Sequence, residues 1–190
     1  GADVIKVEAP WGDDSRTWGP PFQQGFDGGE VSSYFLSCNR GKKIVFANLK
    51  NERERVRSLM DTVDVVIENF KPGAFDRLLG PVKPDLIVCS ISGYGQEGPR
   101  RDEPAFDLTM QARSGIMSVT GEEDGPPAKV GVAWIDVMTG MNAVSSILAC
   151  LLRRNRGGGG ARIDISLWDT AVSSLVNQGH NAVSYTHLRA

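Results

Sequence analysis

The sequence predicts an α/β protein built on an open, mostly parallel, Rossmann-like sheet with flanking helices. Segments rich in β-branched residues alternate with helical segments, which is the usual order of βαβ units. The segment at 64–70 contains a continuous apolar run, as expected for a strand covered on both faces. The connections between strands allow right-handed crossovers, which place successive strands parallel.

The first part of the chain predicts two strands and one helix. Residues 3–8 and 42–49 are strands, since both are rich in β-branched side chains. Residues 9–30 form a loop rich in Gly, Pro and Asp that carries two tryptophans and two phenylalanines. A loop this long is usually functional or disordered, and its aromatic residues argue against simple disorder. Asn51 is placed to cap the helix that follows the second strand.

The middle of the chain predicts the centre of the sheet. Residues 64–70 and 84–93 are apolar strands, joined by a short helix at 72–80 that begins with a proline and stops at a glycine. A polar loop at 94–105 follows the second of these strands. This order continues the α/β pattern.

The last part of the chain predicts three helices and one strand. Helices at 107–119 and 134–155 flank a linker rich in Gly and Pro, and the second helix ends in arginines that suit its C-terminal dipole. A run of four glycines stops that helix, and a strand at 161–167 and a helix at 169–179 complete the pattern.

Composition limits the kinds of partner. The chain of 190 residues has a formal net charge of -2, so no excess of positive charge favours nucleic acid or an anionic membrane. No apolar run approaches the ~20 residues of a membrane-spanning helix. The three cysteines lack the spacing of a metal site, and no signal-peptide pattern opens the chain. We therefore expect reduced thiols, no metal and a cytoplasmic location.

The sequence GYGQEG at 93–98 fits the glycine pattern of dinucleotide-binding loops. In such loops a helix begins at once and holds the pyrophosphate at its N-terminus. Here residues 99–104 contain two prolines and four charged residues, which are typical of a loop. A nicotinamide cofactor is therefore not predicted. A serine–histidine–aspartate triad is not favoured either, because nothing around His180 supports one.

The stretch ENFKPGAFDR at 68–77 is more informative. It places Asn69, Phe70 and Lys71 directly after a strand, at the carboxyl edge where open α/β sheets bind ligands. The N–H groups of the next helix, Lys71 and Arg77 suit an anion, and Phe70 suits a planar ring. A strand-to-helix turn with incidental charges would have the same sequence, so the residues alone leave both interpretations open.

Two aspartates are candidates for chemistry. Asp136 lies at the start of a predicted helix, where an acidic residue also caps the helix or compensates its dipole. Asp169 lies where the strand at 161–167 gives way to a helix, so local rules favour a helix cap over a catalytic carboxylate. Asp164 and Ser166 share the other face of that strand, and a structural or solvated role is expected for Asp164.

Six stretches stand in one order along the chain: GADVIKVE, NRGKK, DVVIENFKPGAFDRL, PDLIVCSISGYGQEGP, DGPPAKVGVAWIDVMTGM and ARIDISLWDTA. This order resembles the class III CoA-transferases, the group of formyl-CoA and carnitine CoA-transferases with the related α-methylacyl-CoA racemases. The resemblance covers nearly the whole chain up to about residue 183. The stretch GDDSRTWGPPF is most similar to the succinate/glutarate-type enzymes.

The resemblance implies that Asp169 is a nucleophile. Its carboxylate would attack an acyl-CoA thioester to form a mixed anhydride, and the released CoA would convert this to an aspartyl-CoA thioester, from which an acceptor acid takes CoA. Asp169 would be ionised but partly desolvated, with Trp168 helping to exclude water. This chemistry needs no metal. Asp107 and Asp136 are expected to line the site.

The resemblance also implies a set of CoA contacts. They are Leu49, Lys50, Asn69, Phe70, Lys71, Arg77 and Phe106. Lysine and arginine would hold the CoA phosphates by charge-assisted hydrogen bonds. Many relatives carry a basic residue just after the acid of VIKVE, where this chain has Ala9. One phosphate contact is therefore not expected here.

The racemase branch predicts a different set of groups. Those enzymes use a His–Asp dipeptide, a second aspartate and usually glutamate at the nucleophile position. Here the dipeptide position reads Phe106–Asp107 and the nucleophile position is Asp169, although Asp136 matches the second aspartate. Because proton exchange needs two bases, the sequence favours a transferase over a racemase or epimerase. A CoA-binding fragment without turnover is a third interpretation.

The ends of the chain predict an incomplete domain. Residue 1 is not Met, and SYTHLRA at 184–190, which contains His187, resembles the translation of a sequencing-library adapter. We expect residues 1–183 to be a partial large domain for CoA binding and catalysis, without its N-terminal start, a Gly-rich loop and a small C-terminal domain. The resemblance implies an interlocked homodimer that uses an acyl-CoA and a carboxylic acid, with a dicarboxylic acid expected. We expect this piece alone to be inactive.

Overall fold

The computed structural model describes residues 1–25, 28–122 and 124–184. The adapter-like stretch predicted at 184–190 lies outside the described residues except for its first residue, and His187 lies outside them as well. The chain divides into two compact units, Gly1–Asp61 and Thr62–Ala190.

The first unit contains short strands and helices. In chain order they are β1 (Ile5–Glu8), β2 (Phe22–Gln24), β3 (Glu30–Ser32), α1 (Ser33–Asn39), β4 (Lys43–Phe46) and α2 (Arg53–Met60). β1 and β4 pair in parallel, whereas β2 and β3 form an antiparallel pair in the stretch predicted to be a loop. The predicted cap at Asn51 is wrong, because α2 begins after Glu52 and has no side-chain cap.

A cluster of charged side chains ties the aromatic-rich loop to β1. Glu8 is buried and accepts two hydrogen bonds from the Arg16 guanidinium, at 2.9 and 3.2 Å. Lys6 donates a hydrogen bond to Asp13. The cationic groups of Lys6 and Arg16 both lie over the ring of Phe35, at 4.7 Å and 4.0 Å from its centroid. Burial would raise the pKa of Asp13, but hydrogen bonds from Lys6 and a neighbouring serine outweigh it and lower this pKa to about 2. Ion pairs therefore order this loop.

The second unit contains a parallel sheet with helices around it. In chain order its elements are β5 (Val65–Glu68), α3 (Ala74–Leu79), β6 (Ile87–Ser92), α4 (Asp107–Ser114), α5 (Trp134–Asn155), β7 (Ala161–Ser166), α6 (Leu167–Ser174) and α7 (Asn177–Ser184). The sheet order is β5–β6–β7, with both pairs parallel. The predicted α/β class with parallel strands and flanking helices is confirmed, although the described parallel strands form two separate sheets, one in each unit.

The middle strand β6 is the most deeply buried part of this sheet. Ile87, Val88 and Cys89 are 0% exposed, and burial raises the pKa of the Cys89 thiol to about 11. The chain approaches β6 closely at Gly160, where a Cβ atom would lie 2.2 Å from the carbonyl oxygen of Leu86. Only glycine fits this approach, which places β7 beside β6 in a fixed register.

A separate apolar cluster joins the helices of this unit. Its buried members are Met110, Ile116, Ile135 and Ala171. Tyr94 and Trp168 pack against this cluster, as does the first residue of α6. The start of α6 is therefore held by side chains from α4 and α5 as well as by the sheet.

Two predicted helices are interrupted. The helix predicted at 107–119 ends at Gly115, which has a φ of 91°, and a short 3₁₀-helix follows. The helix predicted at 169–179 begins earlier, at Leu167, and breaks at Val176, which has a φ of 50°. A β-branched residue with positive φ is strained, and no local pattern predicts this conformation at Val176.

The long helix α5 has the predicted bounds of 134–155 and an unusual exposed face. By length and composition alone α5 could cross a membrane, whereas no apolar run of that length was expected from the sequence. Core helices of soluble proteins can have the same length and apolar composition. Apolar side chains recur on one face at helical spacing, and more than half of the surface of each is exposed: Val137, Met141, Val144, Leu148 and Leu152. No described residue covers this face.

Candidate functional site

The carboxyl edge of the β5–β6–β7 sheet carries four of the candidate residues, Asn69, Phe70, Lys71 and Asp169. Because the three strands are parallel, the segments that follow them leave the sheet at the same edge. These segments are the turn at 69–73 after β5, the loop at 93–97 after β6, and the first turn of α6 after β7. Asp169 lies in the last of them.

Ser166 caps α6 and holds the carboxylate of Asp169. Its Oγ accepts a hydrogen bond from the Asp169 N–H at 2.9 Å and donates to Asp169 Oδ2 at 2.6 Å. The prediction that Asp169 is itself the cap is therefore wrong, because the helix begins at Leu167 and Asp169 is its third residue. The pattern Ser-x-x-Asp is a variant of the capping box, and that signal was present in the sequence.

Trp168 anchors the first turn of α6. Its backbone N–H donates to the Gly93 carbonyl at 3.0 Å, and its half-buried ring is 6.0 Å from the ring of Tyr94. The Asp169 side chain that follows is exposed. The expected partial desolvation of Asp169 is thus not provided by the described residues, and Trp168 packs against Tyr94.

The loop at 93–97 is bonded to both neighbouring segments. The backbone N–H of Gln96 donates to Asp164 Oδ2 at 2.8 Å, and Gln96 Oε1 accepts from the Gly73 N–H at 3.4 Å. The structural role expected for Asp164 is confirmed by the first of these bonds. The next helix starts only at Asp107, which agrees with the prediction that GYGQEG is not a dinucleotide-binding loop.

The turn at 69–73 presents its polar side chains to solvent. Asn69, Lys71 and Arg77 are exposed and Phe70 is half-buried. Among the described residues, neither Lys71 nor Arg77 has an ion-pair partner, so both cations are available for an anion.

The backbone of this turn differs from the expectation. The N–H groups of Gly73 and Ala74 are already bonded, the first to Gln96 and the second to the Lys71 carbonyl at 2.9 Å. Phe70 N–H donates to Glu68 Oε2 at 2.8 Å. The N–H groups at the start of this helix are therefore less available to an anion than expected. The side chains of Lys71 and Arg77 remain as candidate anion contacts.

Asp107 caps a helix other than its own. Its Oδ2 accepts hydrogen bonds from the N–H groups of Ile135 at 2.7 Å and Asp136 at 3.1 Å, in the first turn of α5. Its Oδ1 accepts from Gln111. The capping role considered for Asp136 therefore belongs to Asp107.

Asp136 lies beside the Asp107 carboxylate and has a raised pKa. Burial raises the pKa of Asp136, and the negative charge of Asp107 raises it further. Its side chain still reaches solvent. The two aspartates predicted to line the site are thus neighbours. Asp107 caps the helix, whereas the carboxylate of Asp136 accepts no hydrogen bond from the described residues.

The remaining predicted contacts are spread over the two units. Phe106 is 72% exposed in the second unit. Leu49 and Lys50 follow β4 in the first unit, where Leu49 is half-buried and the Lys50 side chain is exposed. Ala9, where the resemblance implies a basic residue, accepts a backbone hydrogen bond from the Gly12 N–H in the turn after β1, at 2.8 Å.

Three functional features were missed from the sequence. They are the hydrogen bond from Ser166 to the Asp169 carboxylate, the capping of α5 by Asp107, and the hydrogen bonds of Gln96 to Gly73 and Asp164. Only the first has a sequence signal, because the other two join residues far apart in the chain. Among the described residues, no group of three or more His, Cys, Asp and Glu side chains is placed to hold a metal ion.

Comparison with known proteins gives a consistent result. A family model described as "CoA-transferase family III" matches residues 1–189. The chain is 47% identical to the succinate–glutarate CoA-transferase of Agrobacterium fabrum, over 95% of the chain and 48% of that protein. It is 42% identical to the acetyl-CoA:oxalate CoA-transferase of Acetobacter aceti, over 92% of the chain and 46% of that protein.

Solved structures agree with the curated relatives. A CAIB/BAIF family protein from Brucella suis superposes with a TM-score of 0.92 at 45% identity, over 98% of this chain and 51% of that one. Rv3272 from M. tuberculosis superposes with a TM-score of 0.83 at 34% identity, over 96% and 52%. The chain spans about half the length of the curated relatives it matches.

Proposed function

The chain belongs to CoA-transferase family III, and on this premise we propose that the full-length protein transfers CoA from an acyl-CoA to a carboxylic acid, with Asp169 as the nucleophile. The names of similar proteins include succinate, glutarate and oxalate as substrates. A dicarboxylic acid is therefore the proposed acceptor. The observation that carries the proposal is the Asp169 carboxylate, exposed at the carboxyl edge of a parallel sheet and oriented by Ser166.

The proposed reaction proceeds through two mixed anhydrides. An Asp169 oxygen attacks the thioester carbonyl carbon, the C–S bond breaks, and CoA leaves as a thiolate. The thiolate then attacks the Asp169 carbonyl carbon, which releases the donor acid as a carboxylate and leaves an aspartyl-CoA thioester. The acceptor carboxylate attacks this thioester, CoA leaves again, and its attack on the acceptor carbonyl yields the new acyl-CoA and free Asp169.

The geometry around Asp169 supports this role. Ser166 holds Oδ2, and no described residue bonds Oδ1, so one oxygen is fixed while the other is free to attack. Asp169 is also the third residue of α6, a position where an acidic side chain suits the helix dipole. Asp169 can therefore serve both the helix and the reaction.

The proposed CoA contacts come from the exposed side chains described above. Lys71 and Arg77 suit the phosphates, since they have no ion-pair partner among the described residues. Phe70 and Phe106 offer aromatic surface for the adenine ring or the acyl chain. Leu49 and Lys50, which lie in the first unit, stay a prediction from the resemblance.

A test combines substitution of Asp169 with trapping of the intermediate. In the full-length protein, Asp169→Ala is expected to abolish acid-dependent CoA exchange, whereas Asp102→Ala, at an exposed aspartate of the same unit, is the matched control and keeps it. Mass spectrometry after incubation with acyl-CoA and hydroxylamine should locate a hydroxamate on Asp169. Exchange that survives in Asp169→Ala would show that Asp169 is not the nucleophile.

The same preparation decides between the reaction classes. A racemase would exchange the α-proton of its substrate with deuterated solvent, whereas a transferase would not. We expect no deuterium uptake, because Phe106 stands where a racemase has its proton-transferring histidine. The isolated chain of 190 residues is expected to show no turnover, and measurable exchange by it would contradict that expectation.

A further inference from the structure

The long helix α5 exposes an apolar face that carries no charged side chain. Five residues form this face, and each is more than half exposed: Val137, Met141, Val144, Leu148 and Leu152. Between Asp136 and Arg153 the helix contains no charged residue on any side. A helix face that stays in water normally carries charged or polar side chains, so this face is typical of a surface that another molecule covers.

The opposite side of α5 is already occupied within the second unit. Ile135, Thr139 and Ala143 are buried there, and the helix packs against α4, α6 and the strands β6 and β7. Insertion into a membrane would require α5 to leave these contacts, whereas a protein partner can cover the exposed face without disturbing them. The packing therefore favours a protein partner.

The order of residues along the exposed face is nearly the same in both directions. The midpoint of α5 lies between Val144 and Ser145, because the helix extends from 134 to 155. Three pairs of residues lie at equal distances on either side of it: Met141 and Leu148, Val137 and Leu152, and Gly140 and Ala149. Large side chains thus correspond to large ones and small to small. Such a face is complementary to a second copy of itself, packed antiparallel about a two-fold axis.

The two ends of α5 are complementary in charge. The first turn carries Asp136 and the last turn carries Arg153 and Arg154. Antiparallel packing about the midpoint places the basic end of one helix beside the acidic end of the other, and the two helix dipoles are then opposed as well. A parallel pair would instead place like charges side by side.

We propose that this face of α5 is an interface between two copies of the chain, in which the two α5 helices pack antiparallel about a two-fold axis at the helix midpoint. It goes beyond the proposed CoA transfer and does not depend on which residue is the nucleophile. The homodimer expected from the resemblance had no assigned contact surface, and this face supplies one. A standard interface buries about 800 Å² of each partner, so the helices form its apolar centre and flanking residues complete it.

Leu148→Glu in the full-length protein tests the surface. Leu148 is 60% exposed in the single chain, so a charge there is tolerated by the fold but would be buried without a partner in the dimer. We expect the dissociation constant of the dimer, measured by analytical ultracentrifugation, to rise about 100-fold or more, with an unchanged circular dichroism spectrum. Val119→Glu, at an exposed apolar residue outside α5, is the matched control and should remain dimeric.

Cross-linking tests the antiparallel geometry without adding a charge. Ser145 lies beside the proposed axis, so the two copies of Ser145→Cys should come within reach of a disulfide. Leu152 lies about 11 Å along the helix from the axis at 1.5 Å per residue, which separates its two copies by roughly 22 Å. Oxidation should therefore link the chains in Ser145→Cys but not in Leu152→Cys, with the unsubstituted protein as the control for the native cysteines.

Several outcomes would overturn this assignment. A full-length protein that is monomeric at micromolar concentration would do so, as would a dimer that survives Leu148→Glu and is not linked through Ser145→Cys. Unfolding of Leu148→Glu without a cross-link in Ser145→Cys would show that the remainder of the same chain covers the face. Cross-links at both positions would indicate parallel helices, and binding to phosphatidylcholine vesicles that Leu148→Glu abolishes would assign the face to a membrane.

Discussion

Replacing Ser166 with alanine tests how the fold holds the carboxylate of Asp169. The hydroxyl makes two contacts with one residue, at 2.9 Å to the Asp169 N–H and at 2.6 Å to its Oδ2. Loss of a serine N-cap destabilises a protein by about 1 kcal/mol, within a range of about 0.5–2. Ser166 is only 3% exposed, so water cannot easily replace the hydroxyl, and we expect a value of ~1–2 kcal/mol.

The same substitution should affect catalysis separately from stability. Without Ser166 the Asp169 side chain is free to rotate, and we expect kcat for CoA exchange to fall about tenfold or more while the KM for acyl-CoA stays unchanged. Urea unfolding of the full-length protein gives the free energy, and steady-state exchange gives the rate constants. Ser166→Thr keeps the hydroxyl and suits the extended backbone of the cap, which has φ -107° and ψ 144°.

Two outcomes would refute this reasoning. One is Ser166→Ala with unchanged unfolding free energy and unchanged kcat, which would mean that the hydroxyl does not hold Asp169. The other is equal damage in the alanine and threonine variants, which would assign the effect to packing at a buried position. A fall in kcat in Ser166→Ala but not in Ser166→Thr would support the role of the Ser166 hydroxyl in positioning the Asp169 carboxylate.

Three further predictions concern stability. Asp107→Ala should destabilise the protein by ~1–3 kcal/mol in urea unfolding, because two N–H groups of α5 lose their acceptor. Asp107→Asn keeps one acceptor oxygen, so it should destabilise the protein less. Equal destabilisation by the two variants would contradict this prediction. Because the pKa of Asp13 is lowered from 3.8 to about 2 in the folded state, its contribution is complete above the unfolded pKa and is lost as pH falls from ~5 towards 2. That contribution is at most ~2.4 kcal/mol, and solvent screening reduces it. Lys6→Met should flatten this acid dependence, measured by urea midpoints across that pH range, and an unchanged slope would argue against the ion pair. Val176→Asn should raise the melting temperature, since asparagine tolerates positive φ better than a β-branched residue, and a lower melting temperature would contradict the strain at this position.

The parallel strands and the long helix were predictable because each is a local pattern. The strands β5 and β6 are short apolar runs, and α5 has the predicted bounds because its apolar period extends over its whole length. The order inside residues 9–30 was not predictable, because it comes from ion pairs that join Glu8 to Arg16 and Lys6 to Asp13. Such pairing leaves no periodic signal in the sequence.

The candidate site shows the same division. Asp169 was expected where β7 gives way to a helix, but local rules assigned the cap to the wrong residue, because β7 ends one residue earlier and α6 starts two residues earlier than expected. Asp107 and Gln96 act on residues that are distant in sequence, so their contacts depend on how the helices and strands pack. The strained φ at Val176 has no local signature either, since valine disfavours that conformation.

The strand order of the β5–β6–β7 sheet has a consequence for the synthesis of the protein. β6 pairs with β5, which precedes it, and with β7, where Ile87 faces Ala161 after a long intervening stretch. At ribosomal rates of about 5–20 residues per second, one edge of β6 waits roughly 4–15 s for its partner. An apolar strand with an open edge is prone to pair with other chains during this interval. Asp169 directly follows the last strand, and so it reaches its place only when the sheet closes.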